Sequence, residues 1–390
     1  MDDLLTRGVA NIIPNKDSLQ KLLQSGKKLN VYLGIDPTST KIHLGHAVPL
    51  RKLQKLAEDG HHVTFLIGDF TALIGDTSDK DSERPVLTSE QIEENFQTYK
   101  KQAEKLLDFS KVEVKNNSEW LSKLTFTEIV RLCQHFSFGD FASRELIKKR
   151  LADGKKVGLH EALYPVMQGY DSYVLKTDIQ LGGTDQTFNM QAGRTLIKDL
   201  EDRESFVMTN EFLTGTDGRK MSKSWGNAIW LDDSPSDMYG KIMSIKDDLI
   251  FEYFKLGTNT SDEKLKEIEE KLKNNENPMS LKKELAFQIV SELHNEGNAK
   301  KAQEEFEKVV QNKEIPEDLQ VYTVKDVRVL DEVLVDSKVA ASKSEVKRLV
   351  EQGGIEINGH KISVDQLKQE VSNGSVIKVG KHKYLKIFSS

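Results

Sequence analysis

At 390 residues, with 37% hydrophobic and 30% charged side chains, the chain is too long for one ordinary core, and roughly 100–200 residues per domain predicts two or three domains. No apolar run approaches the ~18 residues of a membrane span, the N-terminus MDDLLTRGVANIIP lacks the basic and apolar regions of a secretory signal, and a single cysteine, Cys133, excludes an internal disulfide and a cysteine-built zinc site. A net charge of -6 argues against a chain coated in basic surface, although residues 325–390 hold 12 Lys/Arg against 9 Asp/Glu, which is either chance or a hint of phosphate contact.

In chain order, the apolar run VYLGID (31–36) leads through a turn into a helix predicted at about 44–60. Gly60 ends that helix, and HVTFLIGD (62–69) reads as a second strand. A helix at 89–109, a strand DIQLGG (178–183), a helix at about 184–200 and a strand FVMTNEFL (206–213) follow. Strands separated by helices predict an α/β fold with a doubly wound parallel sheet, Rossmann-like, over 1–234. Residues of about 115–177 read as helical and interrupt the repeat as an insertion; within it, Cys133 in IVRLCQHF reads as a buried, inert thiol of an amphipathic helix, which fits a reducing cytoplasm.

After Pro235 the strand signal stops. Leu265, Ile268 and Leu272, then Leu281, Leu285, Ile289 and Leu293, recur at helical spacing and predict a helical domain over 235–312. Residues 313–324, with Pro316, read as a linker. Over 325–390 a short helix (SKSEVKRLVEQGG) precedes Asn358-Gly359 between alternating runs, a strong hairpin signal, and SVIKVG and KYLKIF add strands to a small α+β module.

Two motifs carry chemistry. In GIDPTSTKIHLGH, His43 and His46 lie three apart at the opening turn of a helix, where free N–H groups and the positive dipole end favour phosphate. In GRKMSKSWGN (218–227), Lys220 and Lys223 sit on a glycine-flanked loop able to stabilise charge moving onto a leaving polyphosphate. Taken singly, the first is equally a pair of surface histidines and the second a solvated charged loop.

In this order, about 175 residues apart in an α/β frame, the two motifs resemble the signature pair of class I aminoacyl-tRNA synthetases, with HLGH in place of the commoner HIGH and KMSKS intact. YLGIDPT, ALIGDTSDKDSER (72–84), YPVMQGYDSYVL (164–175) and QLGGTDQTFN (180–189) narrow the resemblance to the tyrosyl-tRNA synthetases, over nearly the whole chain. The resemblance implies that Tyr32 and Asp171 meet the substrate phenol, that Asp76 takes its ammonium, and that Tyr164, Gln168 and Gln186 complete the amino-acid pocket. For ATP it implies Gly34, Asp36, Thr38, His43, His46, Gly182, Gly183, Asp185 and Met221, with Lys80, Arg84, Lys220 and Lys223 on the pyrophosphate. The spacing of 164, 168 and 171 puts three side chains on one helix face. An acceptor carboxylate with a phenol is a pairing that phenylalanine would leave unsatisfied; discrimination of this kind in this enzyme family is a standard worked case, at roughly 10⁵.

The implied activity is adenylation of L-tyrosine by ATP with Mg²⁺, followed by transfer to tRNA(Tyr), with no protein-bound metal and no membrane partner. Residues 342–362 resemble an S4-type RNA-binding module with Lys343, Lys347 and Arg348 toward phosphates, and the helical domain would reach the anticodon region. The family works as a homodimer, for which FTEIVRLCQHFSFGDF (126–141) is apolar enough, although the same residues could be domain core. The rival readings are a tryptophan-activating enzyme, against which stand Asp171, Tyr32 and the S4-like module, and an RNA-binding protein with a dead core, which should have lost some of the motif residues present here. A plain nucleotidyltransferase leaves the helical and C-terminal parts unexplained.

Overall fold

A computed structural model of the chain describes residues 3–76, 87–222, 225–308, 320–324, 328–380 and 383–389. They fall into two compact units, Met1–Asp233 with Ser244–His294, and Ser234–Met243 with Asn295–Ser390.

The first unit is built on six strands: β1 (Val9–Ile13), β2 (Asn30–Ile35), β3 (His62–Ile67), β4 (Val112–Asn116), β5 (Ile179–Gly183) and β6 (Phe206–Asn210). Their order is β1-β6-β5-β2-β3-β4, all pairs parallel except β1 with β6. The central strands are buried along most of their length, as parallel strands covered on both faces must be. Two edge strands were not expected. β1 buries only Ile12 fully and β4 only Val112, so neither displays the long apolar run that marks the centre of the sheet.

Among the described residues, nine helices connect the strands: α1 (Lys16–Gln24), α2 (Leu44–Glu58), α3 (Ser89–Ala103), α4 (Ser118–Leu121), α5 (Phe126–Cys133), α6 (Phe138–Ser143), α7 (Glu145–Ala152), α8 (Leu159–Val174) and α9 (Thr187–Glu201). Helix α3 starts from a capping box between Thr88 and Gln91 and stops at Ala103, short of the expected 109. Helices α4–α8 form the insertion between β4 and β5. Helices α8 and α9 approach closely because Gly193 lies under Ser172, where a Cβ would sit 2.3 Å from the Ser172 Oγ. That approach seats the helix carrying residues 164, 168 and 171 against the sheet.

Three further helices, Ile250–Gly257, Asp262–Lys273 and Pro278–Leu293, belong to this first unit. The span 235–312, expected as one helical domain, is therefore divided between the two units. Arg51 of α2 ties these helices to the sheet domain: it donates to the Gly257 carbonyl (3.0 Å) and pairs with Glu292 (2.8 Å). A helical apolar period marks a buried face without saying which neighbour buries it.

In the second unit the helix Pro235–Met243 packs on Glu296–Phe306, with the Tyr239 and Phe306 rings 5.5 Å apart. A five-stranded sheet follows: β7 (Gln320–Val324), β8 (Ile355–Ile357), β9 (His360–Lys361), β10 (Val376–Val379) and β11 (Lys383–Ser389), ordered β7-β11-β10-β8-β9. The hairpin β8–β9 turns on Asn358 (φ 49°) and Gly359 (φ 82°), the left-handed pair that a two-residue turn demands. Residues 320–324, expected as linker, form β7 parallel to β11; the β-branched and aromatic run VYT suits a strand. Leu330, Val333, Val346, Ile355, Ile377 and Leu385 make the core of this sheet and its helices.

Candidate active site

In the first unit the chain leaves β2 toward β3 on one side and β5 toward β6 on the other, so the C-terminal ends of β2 and β5 flank a crevice. A cavity of about 800 Å³ opens there. It is lined by Tyr32, Gly34, Asp36, Thr38, His43 and His46 from β2 and the start of α2, and by Gly182, Gly183, Asp185 and Gln186 from the end of β5. Asp76, Tyr164, Gln168, Asp171, Lys220 and Met221 line it too.

One end of the cavity is acidic and pre-wired. Asp171 is buried, and its two oxygens accept from Trp120 Nε1 (2.7 Å) and Asn117 Nδ2 (3.1 Å). Burial raises its carboxyl to about 7, against the lowering pull of the Trp120 and Asn117 hydrogen bonds. The second amide hydrogen of Asn117 goes to Thr71 Oγ1 (3.0 Å), and Thr71 donates to Asp36 (2.8 Å), whose other oxygen accepts from the Tyr164 hydroxyl (2.9 Å). Tyr32 is fully buried, and burial followed by the Asp171 charge pushes its phenol well above the ordinary value. Its hydroxyl pairs with Ser172 Oγ (2.8 Å), not with Asp171. Ser172 in turn donates to Gln180 Oε1 (3.2 Å) or the Gln168 carbonyl (3.3 Å), so Tyr32 gives its proton to Ser172. Asp76 accepts from Gln186 Nε2 (2.6 Å) and Asn189 Nδ2 (3.4 Å).

The other end belongs to the opening of α2 and the loop at 214–230. His43 is the N-cap of α2, and His46 Nδ1 lies 3.2 Å from its N–H nitrogen and 3.3 Å from its carbonyl oxygen. The rings lie 4.0 Å apart. Gly45 is required here, because a Cβ would come 2.9 Å from His43 Nδ1, a buried nitrogen without a hydrogen-bond partner among the described residues. Burial, then each other's and Lys220's charge, lowers His43 to about 2; burial lowers His46 to about 4. Both rings are neutral at pH 7, so positive charge at this end comes from Lys220 and the helix dipole. Lys220 Nζ sits 3.3 Å from Asp185 and 4.2 Å from the centre of the Phe212 ring. The returning segment pairs with the first motif: Leu44 N–H donates to the Ile229 carbonyl (2.8 Å) and Leu231 N–H to that of Ile42 (3.0 Å).

Of the residues singled out from sequence, sixteen thus share one cavity. Lys80, Arg84 and Lys223 lie outside the described residues. Lys343, Lys347 and Arg348 are exposed on the helix Lys343–Glu351 of the second unit, with Lys343 paired to Glu332 (2.9 Å) and Arg348 3.8 Å from Glu345. Sequence reasoning missed Asn117, Trp120, Thr71 and Ser172. Ser172 adjoins Asp171 and Thr71 adjoins residues 72–84, both in motifs already read, but Trp120 on α4 and Asn117, its N-cap, come from a segment far away in the chain with no local signature.

A family model described as tRNA synthetases class I (W and Y) matches residues 24–311, and an S4 domain model matches 330–367. The tyrosine–tRNA ligase of Thermotoga maritima is 42% identical over 386 residues, covering 98% of this chain and 96% of the relative. That of Dehalococcoides mccartyi strain CBDB1 is 43% identical over 391 residues, covering 99% and 98%. A solved structure of a C-terminally truncated mitochondrial tyrosyl-tRNA synthetase from Coccidioides posadasii matches with a TM-score of 0.64 at 25% identity, over 77% of this chain and 91% of that one. With a crevice at the switch point, the described residues of both signature motifs lining it and relatives aligned end to end, this chain belongs to the tyrosyl-tRNA synthetases of class I and carries an S4 domain.

Proposed function

We propose that the chain joins L-tyrosine to ATP as tyrosyl-adenylate and then passes the tyrosyl group to the 3′ end of tRNA(Tyr). The observation that carries this reading is Asp171: a buried carboxylate, fixed by Trp120 and Asn117, facing a cavity beside the hydroxyl of Tyr32. The substrate phenol gives its one proton to Asp171 and accepts from Tyr32 once that hydroxyl turns from Ser172. Phenylalanine supplies neither, and an unmet buried group costs about 1–3 kcal/mol or more when charged. The ammonium is taken by Asp76, with Tyr164, Gln168 and Gln186 completing the pocket.

In the first step a carboxylate oxygen of tyrosine bonds to the α-phosphorus of ATP while the bond from that phosphorus to the bridging oxygen breaks, and the electron pair leaves on pyrophosphate. No protein side chain forms a covalent bond, so rate comes from positioning and from stabilising the departing charge. Gly34, Asp36, Gly182, Gly183, Asp185 and Met221 cradle the nucleoside. Thr38 and His43 serve as neutral hydrogen-bonding groups along the phosphates, and His46 sits closer to the ribose and adenine. Lys220 neutralises pyrophosphate, a part also assigned to Lys80, Arg84 and Lys223. Mg²⁺ arrives as part of the ATP substrate; among the described residues no three His, Cys, Asp or Glu side chains cluster as a metal site.

The S4 domain and the helical segments after residue 234 are assigned to tRNA, with Lys343, Lys347 and Arg348 on its phosphates. The working form is a homodimer joined through the insertion, where Phe126 is 81% and Phe138 65% exposed in the single chain. The place of action is the cytoplasm; no helix of the described residues is long and apolar enough to cross a membrane. ATP–pyrophosphate exchange across all twenty amino acids tests the reading. Exchange with tyrosine alone is expected, and exchange preferring tryptophan, or background exchange with every amino acid, would overturn it.

A further inference from the structure

The loop that carries Lys220 is held from the inside by one side chain. Asn227 is buried, and all of its carboxamide is used within the loop. Its Oδ1 accepts the Ser222 N–H (2.9 Å), while Nδ2 donates to Asp217 Oδ1 (2.8 Å) and to the Lys220 carbonyl (3.2 Å). Its own carbonyl accepts the Thr216 N–H (3.1 Å). The outgoing leg passes so close that a Cβ at Gly215 would lie 2.3 Å from Asn227 Nδ2. The loop's first residue is pinned separately: Thr214 donates its N–H (2.6 Å) and hydroxyl (3.0 Å) to Glu252, and its carbonyl accepts from Tyr253 (2.7 Å).

We infer that Asn227 is a positioning residue for the adenylation step, fixing the backbone at 220 and 222 so that the Lys220 ammonium stands in the phosphate end of the cavity. The inference rests on the functional reading above. A lysine on an unbraced loop samples many positions, and its ammonium reaches the developing pyrophosphate charge only part of the time. The bonds to the 220 carbonyl and the 222 amide bracket Met221, which is 3% exposed and lines the cavity. Asp217 belongs to the same brace: it accepts from Asn227 and from the Arg219 backbone (3.0 Å), holding the loop's tip to its returning leg.

The test compares wild type with Asn227→Ala and Asn227→Asp. In single-turnover measurements both variants should form tyrosyl-adenylate about 10- to 100-fold more slowly, the scale of a misplaced catalytic group. Tyrosine affinity and transfer from preformed tyrosyl-adenylate to tRNA should stay as in wild type, because pyrophosphate has already left before transfer. Asn227→Asp is informative because it keeps an acceptor for Ser222 but sets an oxygen against Asp217 and the Lys220 carbonyl. Adenylation at the wild-type rate in either variant overturns the inference, and so does an equal fall in adenylation and transfer, which marks a general structural defect. Amide hydrogen exchange at Ser222 decides the brace independently of any activity: protection in wild type and its loss in Asn227→Ala are expected, and unchanged protection overturns it. Absence of tyrosine-dependent exchange in the wild type would sink the functional reading while leaving that measurement intact.

Discussion

Replacing Trp120 by phenylalanine removes one hydrogen bond to Asp171 and little else. The indole N–H lies 2.7 Å from Oδ1, and it is the first of the bonds that oppose the effect of burial on this carboxyl. A hydrogen bond to a charged group contributes about 1.5–3 kcal/mol, and about 1.4 kcal/mol is one pKa unit, so the variant's carboxyl should titrate roughly 1–2 units higher. The wild-type value is about 7. At pH 7 the ionised fraction then falls from about one half to roughly 1–10%, and tyrosine binding weakens about 5- to 50-fold. The sign follows from the acceptor role: binding needs the carboxylate and is lost as pH drops through the carboxyl's pKa. The gap between variant and wild type is therefore full below pH 7 and closes toward about pH 9. The substrate's own ionisations affect both proteins equally and drop out of the ratio. Phenylalanine, which offers no donor, should bind both alike, so selectivity for tyrosine falls with the affinity. Equilibrium dialysis with labelled amino acids from pH 6 to 9 reads all of this. A loss that stays the same factor throughout that range would refute the assignment of Trp120 to the charge on Asp171.

Further outcomes concern stability, catalysis and assembly. Because folding raises the Asp171 carboxyl from an ordinary 3.8 to about 7, the native state binds the extra proton between those values and stability falls as pH rises through them, by up to about 4 kcal/mol. Melting curves should show Asp171→Asn gaining on wild type from pH 4 to pH 7, and a constant offset would contradict this. His46 works in the opposite sense: its folded value near 4 lies below the unfolded 6.5, so stability is full above 6.5 and is lost as pH falls toward 4. His46→Gln should flatten that acid limb in the same melting series. Lys220→Ala should slow adenylation by about 10²–10³-fold, the usual cost of one transition-state donor, with tyrosine affinity unchanged in stopped-flow titration. Phe138→Glu places charge on a side chain that is 65% exposed in the single chain; the parent is expected to sediment as the proposed dimer and the variant as a 44.2 kDa species.

Much of this site could be read from local sequence because its pieces are local. Residues 164, 168 and 171 share a face by helical arithmetic, His43 and His46 by the same arithmetic at a helix start, and Asn358-Gly359 specifies its turn by the only backbone conformations it permits cheaply. What could not be read is whatever depends on which distant segment arrives beside it. Trp120 and Asn117 sit just past β4, about 50 residues before the carboxylate they hold, and nothing in NNSEWL distinguishes a donor to Asp171 from an ordinary turn. The division of 235–312 fails for the same reason: the three helices that join the first unit are held by Arg51 on α2 and its partner Glu292, a pairing across more than 200 residues. Strand β1 escaped because its role is to close an edge, and an edge strand with one buried side chain carries no alternation.

The charge of the cavity divides along the same line as its chemistry. Asp76 and Asp171 stand at the end proposed for the amino acid, each carboxylate already wired to neutral donors such as Gln186 and Trp120. That end favours an ammonium and a phenol proton and repels a triphosphate. At the other end stand two histidines kept neutral by burial, beside the path proposed for the phosphates, and the cation is carried on a segment braced by Asn227. Had the histidines been charged in the empty enzyme, Asp185 and the pocket's other carboxylates would compete for them, and the phosphates would have to displace those contacts on entry. Neutral imidazoles need no such exchange. A polyanion bound beside them raises their affinity for protons, so proton uptake should accompany ATP binding most strongly at pH values just above 4, where the empty His46 begins to titrate. Calorimetry of ATP binding in buffers of different ionisation enthalpy measures that uptake, and an uptake that is the same at pH 5 and pH 8 would place the phosphates away from His43 and His46.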